Sequence, residues 1–310
     1  MPQVTVVIPA FNAERYIGEA LASVQGQTLT DVEVLLIDDG STDGTIREAE
    51  RFIGSLDLTI IRQVNAGPSA ARNVGIRRAR GRHCAFLDAD DIMLPELLAA
   101  QSALLETDPD LGLVLTDVMT FNESGTIHRA RWGASDPSDG TVLDRLLLDN
   151  FVTTSAVMAP TRCLREAGLF SEDRRVAEDY ELWLRIAVRW KIGFIDRPLV
   201  RYRYSAGSLS ADRLYSARCA LEVIEAFWRE HADYFRSHPQ LGHRSLAGHL
   251  ANAGGAAAAQ GKRGSALRYL LRSLRHDPSA LSTWKWLAKT LVLPTGRLNA
   301  AARQSPVNAA

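Results

Sequence analysis

The chain predicts an α/β fold: a mostly parallel central sheet flanked by helices, followed by an α-helical C-terminal region. Three observations carry this. Short β-branched apolar runs alternate with helically spaced segments through the first two-thirds of the chain. Acidic or polar clusters follow the carboxyl ends of those runs. From Leu214 onward the strand signal stops and only helical patterns remain.

Val4–Ile8 is a buried-strand run ending at Pro9, and Asn12–Ser23 has helical spacing through Ala13, Ile17, Ala20 and Leu21. Val32–Ile37 is the second strand, and Ser41-Thr42-Asp43 can cap a helix running to Arg51. Leu58–Ile61 is a third strand. Pro68–Arg80 is a helix with Ala70, Ala71 and Val74 as a small inner face. His83–Leu87, the helix Pro95–Glu106 and the strand Leu111–Thr116 complete the alternation. Further strands are expected at Ser155–Met158, Ile192–Ile195 and Val200–Tyr204, with a helix over Ala177–Trp190. Asn122–Gly140, which carries Trp132, reads as a loop. Parallel connections bring strand ends to one rim, where ligands of such sheets bind. Phe11-Asn12, Asp38-Asp39 and Asp88–Asp91 therefore share that rim.

The chain divides near Asp212 into an α/β domain, 1–212, and an α-helical region, 213–310. The helical segments are Leu214–Phe235, Ser245–Ala259 and Ser265–Arg275. The last two, with Gly261 between them and Asp277-Pro278 after, look like a single tetratricopeptide-like hairpin.

The 310 residues balance 36 Lys and Arg against 36 Asp and Glu, which argues against a nucleic-acid partner. The balance hides a basic C-terminal stretch. From Ala251 to Ala310 the Lys and Arg residues, Arg297 and Arg303 among them, are opposed by Asp277 alone. The plainer reading is a solvated helical face; the sharper one is contact with an anionic surface. Cys84, Cys163 and Cys219 are odd in number and widely spaced, so they read as buried reduced thiols. With no signal-peptide pattern and no apolar membrane span, the expected location is cytoplasmic, with a peripheral place at the inner face of a membrane as the extension.

Two carboxylates one residue apart at a strand end, Asp88 and Asp90, can face a divalent cation together. A turn with Asp91 as a helix cap explains the same residues as well. Asp39 can accept a base N–H or a ribose hydroxyl, or simply close a turn. Arg72 can fork onto a pyrophosphate, or pair with a rim aspartate. Glu178-Asp179 opens a helix, where its dipole stabilises carboxylates, and either can also serve as a general base.

Val4–Asn12, Val34–Thr45, Asn65–Asn73, Phe86–Asp91 and Glu178–Arg185 together resemble the ordered motifs of family 2 glycosyltransferases with the GT-A fold. The resemblance implies an inverting transfer of sugar from a nucleotide-sugar donor, a UDP-sugar by expectation, to a hydroxyl of a saccharide or lipid-linked acceptor in polysaccharide or glycoconjugate synthesis. It implies that Pro9, Ala10, Phe11 and Asp39 hold the base, with Arg72 near the base or phosphates. Asp88 would contact ribose or metal, Asp90 would ligate Mn²⁺ or Mg²⁺, and Asp179 would be the catalytic base. One departure stands out: the family often has a His after a late Tyr-Arg pair, and Tyr202-Arg203-Tyr204-Ser205 has none. Arg201, Arg203 and Ser208 are the candidate replacements.

A haloacid dehalogenase-type phosphatase with Asp88 as nucleophile is the rival enzyme, but the Thr expected after Asp90 is absent. A non-catalytic nucleotide-sugar sensor is the other alternative, although it would not need both Asp90 and Asp179. Near the C-terminus, Trp284, Trp286, Leu287, Leu291, Val292 and Leu293 lie beside Lys285 and Lys289. Core packing against the catalytic domain is the first reading of this cluster, and interfacial membrane contact the second.

Overall fold

The computed structural model describes residues 1–122, 125, 128–129, 142–204, 212–293 and 298. Most of the Asn122–Gly140 loop, Ser205, Ser208, Arg297 and Arg303 lie outside the described residues. The chain forms two compact units, Met1–Val142 with Val152–Ser205, and Leu143–Phe151 with Ala206–Ala310.

The first unit alternates β1 (Val4–Ala10), α1 (Ile17–Gln25), β2 (Val32–Asp38), α2 (Thr45–Glu50), β3 (Asp57–Arg62), α3 (Pro68–Arg78) and β4 (His83–Phe86). It continues through β5 (Ile92–Met93), α4 (Leu97–Thr107), β6 (Leu111–Phe121) and β7 (His128–Arg129). After α5 (Val142–Leu148), which from Leu143 onward belongs to the second unit, come β8 (Val157–Pro160), α6 (Thr161–Glu166), α7 (Glu178–Ala187) and β9 (Lys191–Arg203). The sheet order is β3-β2-β1-β4-β8-β6-β9-β5, with β7 on β6. The first four strands are parallel and in register, Val4 facing Val32 and His83. The far half is mixed, because β8 enters antiparallel between β4 and β6.

Val4, Val6, Val7 and Ile8 are all fully buried, as expected of a strand covered on both faces. The small face of α3 packs on them. Ala71 meets Leu35 and Ile37, and at Gly75 an added Cβ would lie 2.3 Å from Val7 Cγ1, so only glycine permits this approach. Among the buried polar residues of the strands is Glu33 on β2, which accepts from Thr5 Oγ1 at 2.5 Å and Arg80 Nε at 2.6 Å.

Some boundaries depart from the sequence expectation for local reasons. The first helix starts at Ile17 rather than Asn12. Asn12 is left-handed at φ 50, and Ala13 and Glu14 donate instead to Thr45 Oγ1 and Asp43 Oδ2. The two expected late strands are one, β9, whose register against β6 shifts at Asp117. There the Asp117 carboxylate takes the Val118 N–H at 2.9 Å and Pro198 offers no donor. Ser155 belongs to a 3-10 turn, Thr154–Ala156, just before β8.

The second unit contains α8 (Arg213–Glu230), α9 (Ala232–Ser237), α10 (Pro239–Ala259), α11 (Arg263–His276) and α12 (Leu281–Val292). Asp212 caps α8 by accepting from Leu214 and Tyr215 N–H at 3.1 Å. The helix expected to reach Phe235 breaks at His231. The expected hairpin is present as α10 and α11, and Gly254 provides the close approach to Leu270. Ser245 Oγ and His249 Nε2 both donate to the Leu147 carbonyl, tying Leu143–Phe151 into this unit. Trp286 and Leu287 pack inward on Leu270 and Leu274. Core packing does not extend to Trp284, Leu291 and Val292, which stay 49%, 61% and 79% exposed. Among the described residues no helix is long and apolar enough to cross a membrane. Cys84, Cys163 and Cys219 are buried free thiols.

Candidate active site

The parallel register carries β1, β2 and β4 to one edge, and the chain leaving each strand supplies the rim. After β1, Ala10 O accepts the Asp39 N–H at 2.8 Å, which joins the Pro9–Phe11 segment to the end of β2. Phe11 is 52% exposed here, leaving an aromatic face open to a ligand. Asp39 is buried, and its carboxylate organises the loop before α3. Oδ1 accepts from Gln63 Nε2 at 2.7 Å and Ala66 N at 2.8 Å, and Oδ2 accepts from Gly67 N at 2.8 Å. Asp38, its neighbour, accepts from Ser41 N–H and Arg62 Nε instead.

Arg72 reaches out of α3 into the centre of the rim. Nη2 donates to Asp88 Oδ1 at 2.6 Å and Nη1 to Glu178 Oε1 at 2.9 Å, while the guanidinium lies over Phe170. Its Nε is buried and has no hydrogen-bond partner among the described residues. Burial alone would weaken its hold on a proton, but the charges of Asp88 and Glu178 overcome this and raise its pKa further. One cation thus bridges the strand-end motif and the start of α7, which lie 90 residues apart at Asp88 and Glu178 in the sequence.

That helix begins under constraint. Ala177 is left-handed at φ 66, a conformation with a steric cost for a residue bearing Cβ. It turns Glu178 inward, where burial and then the charge of Asp179 push the Glu178 carboxyl up to about 7 against the pull of Arg72. Asp179 is part-exposed, with Oδ2 accepting from Thr154 Oγ1 at 3.2 Å and Oδ1 from Tyr180 N at 2.6 Å. Burial raises its proton affinity despite those bonds and Arg72. A carboxylate held in orientation, with raised basicity, has the properties of a general base.

Asp90 is pushed up to about 6, first by burial and then by the charge of Asp88. Like charges collected at a half-buried strand end are what a divalent cation would relieve. Among the described residues no group of three or more His, Cys, Asp or Glu surrounds a metal position. Asp90, with Asp88 beside it, offers the hard carboxylate oxygens that would suit Mg²⁺ or Mn²⁺.

The structure adds residues that the motifs did not point to. Asp91, read as a helix cap, is buried and instead accepts from Ser155 Oγ at 2.5 Å and Arg203 N at 2.8 Å. Arg203 Nε donates to the Asp90 carbonyl at 2.8 Å and Nη2 to Glu19 Oε2 at 2.6 Å, between the rings of Tyr16 and Phe121. Of the candidate replacements for the missing histidine, Arg203 is therefore committed to the backbone of the acidic turn. Arg201 lies over Phe121, and Ser208 is outside the described residues. Asp91 carried a signal as the third acid of its run; Thr154 and Ser155 sit in a stretch with no motif.

The doubly wound parallel half and its acidic rim define a nucleotide-type α/β architecture. The family model described as "Glycosyl transferase family 2" matches residues 5–163, and the chain belongs to that family. An uncharacterized glycosyltransferase of Rickettsia felis is 32% identical over 210 residues, covering 66% of this chain and 34% of the relative. The chain thus spans about a third of the length of that curated relative. Among solved structures, S. aureus TarS 1–349 in complex with UDP-GlcNAc superposes with a TM-score of 0.70 at 20% identity, covering 98% of this chain and 92% of that 1–349 fragment. A mannosyltransferase from Pyrobaculum calidifontis, in complex with GDP-Man and Mn²⁺, gives 0.65 at 20% identity, covering 97% and 84%. The fold is GT-A, and family membership leaves the phosphatase reading without support.

Proposed function

We propose that this chain is an inverting glycosyltransferase that moves a sugar from a nucleotide-sugar donor to a hydroxyl of a saccharide or lipid-linked acceptor. The observation that carries the reading is the Arg72 bridge. It joins Asp88, at the donor-side strand end, to Glu178, the immediate neighbour of Asp179. Donor-binding and proton-accepting groups are thereby parts of one connected network.

Asp179 takes the proton of the acceptor hydroxyl as its oxygen attacks the anomeric carbon opposite the departing diphosphate, in a single displacement. Thr154 and the Tyr180 N–H hold the carboxylate in place for that transfer. A Mn²⁺ or Mg²⁺ held by Asp90 would supply neutralisation of the charge that develops on the leaving diphosphate. Asp88 meets the ribose, and Pro9, Ala10, Phe11 and Asp39 form the base subsite. With Oδ1 of Asp39 accepting twice and Oδ2 once, the carboxylate has room for one more donor. A single imide N–H, as in uracil, matches that vacancy, and this supports a UDP-sugar over a guanine nucleotide. A role in polysaccharide or glycoconjugate synthesis, in the cytoplasm or at the inner face of a membrane, is part of the same proposal.

The test is a donor screen with Mn²⁺, run on the wild type and Asp179→Asn. Wild type should turn over one or a few donors, UDP-sugars first. The variant should bind them with near-normal affinity and lose about 10²–10⁴-fold in rate. Lost donor binding with intact chemistry would overturn the assignment of the base.

A further inference from the structure

Helix α12 is amphipathic in the wrong sense for a solvent-facing element. Its inward positions are Thr283, Leu287 and Thr290. Its outward stripe, at helical spacing of three and four, is Leu281, Trp284, Lys285, Ala288, Leu291 and Val292. Leu281 is 74% exposed, and Trp284, Leu291 and Val292 are as open as described above. The outer face is thus richer in large apolar side chains than the face that packs. Helices that fold only to bury a stripe against a core show the opposite order.

The charge around the stripe selects what can cover it. Neither α11 nor α12 contains an Asp or Glu; on α11 Arg272 is paired with Glu225 and Arg263 donates to the Leu293 carbonyl, and the cations of α12 itself are Lys285 and Lys289. Lys289 folds back over Trp286, but Lys285 stands exposed within the apolar stripe itself. A second copy of this face would set lysine against lysine, whereas an anionic headgroup layer accepts the lysines and the acyl boundary accepts Trp284 and the aliphatic residues.

We infer that the outer face of α12 is a peripheral membrane-binding surface for anionic phospholipid bilayers, lying in the interface plane. Trp284 enters at headgroup depth, Leu291 and Val292 enter the acyl boundary, and Lys285 remains with the phosphates. This surface is independent of the donor chemistry, so it stands or falls without reference to transferase activity.

The experiment is co-sedimentation of the full chain with vesicles of phosphatidylcholine alone or with a third phosphatidylglycerol. Wild type, Leu291→Ser/Val292→Ser and Lys285→Glu are compared. Wild type should bind the anionic vesicles at least about tenfold more tightly than the neutral ones and be released by high salt. The apolar double variant should lose about tenfold or more, and Lys285→Glu roughly fivefold or more. All the substituted residues are exposed, and an unchanged melting temperature confirms that the variants fold. Absence of binding to anionic vesicles, or binding that neither variant weakens, overturns the inference. So does a concentration-dependent dimer, seen by analytical ultracentrifugation, that the apolar double variant abolishes, because the face then belongs to a second copy.

Discussion

Arg72→Met tests the electrostatic centre of the site. The arginine is 5% exposed and pairs with two carboxylates at 2.6 and 2.9 Å. Methionine retains most of the stem and removes the charge, so Asp88 and Glu178 lose their counter-ion. Breaking a buried pair from one side costs about 3–5 kcal/mol, a fall in Tm of roughly 10 °C for a unit of this size. The loss should depend on pH in a set direction. Glu178 lies at about 7 against an ordinary 4.5, so the folded state already binds a proton that the unfolded chain releases. Its contribution to stability is therefore present below about pH 4.5 and declines as pH rises towards 7. Without Arg72 the native pKa climbs further and the penalty above pH 7 grows. At pH 5 Glu178 is neutral in both native proteins, and the loss reduces mainly to the Asp88 pair. Urea unfolding at pH 5 and pH 8 should show a loss at least about 1–2 kcal/mol larger at pH 8. An equal loss at both pH values, or a loss under about 1 kcal/mol at pH 8, would refute the bridge as drawn.

Two other substitutions probe separate features. Asp90→Asn should lower transfer by at least about 10²–10³-fold, and calorimetry with and without Mn²⁺ should show that donor binding has lost its metal dependence; wild-type turnover would remove Asp90 from the metal shell. Glu33→Gln should cost about 1.5–3 kcal/mol at neutral pH, because the amide presents a donor to Arg80 Nε where the carboxylate accepts at 2.6 Å. Burial would raise the Glu33 pKa, but the Thr5 hydroxyl and the Arg80 N–H and guanidinium lower it overall, so its stabilisation is present above about 4.5 and disappears as pH falls through the depressed value. The gap between variant and wild type should therefore close in acid, and a gap that persists at the lowest pH would contradict this.

The rim was legible in the sequence because parallel connections leave little freedom. Once Val4–Ile8, Val32–Ile37 and His83–Leu87 are strands, Phe11, Asp39 and Asp88 must meet at one edge. The partners of the acidic residues were not legible. Thr154 and Ser155 reach the site because β8 inserts antiparallel beside β4, a long-range pairing that no local pattern announces. Arg203 reaches Asp90 through a strand whose register is displaced at Asp117 and Pro198. The apolar periodicity predicts a helix from Asn12, yet α1 begins at Ile17. Side-chain bonds from the 41–45 loop hold that stretch in an irregular path, and propensity yields to them.

The grouping of Leu143–Phe151 with the C-terminal helices bears on how the protein can be dissected. The catalytic unit is interrupted, so the backbone passes between the two units near residues 142, 151 and 205. A stop codon after Ser205 would strand Leu146 and Leu147, both fully buried, without the helix whose Ser245 and His249 hold the Leu147 carbonyl. A minimal catalytic fragment therefore requires an internal deletion with a short Gly-rich splice from 142 to 152 as well as a new terminus. Limited proteolysis that nicks near 205 alone should leave both pieces associated.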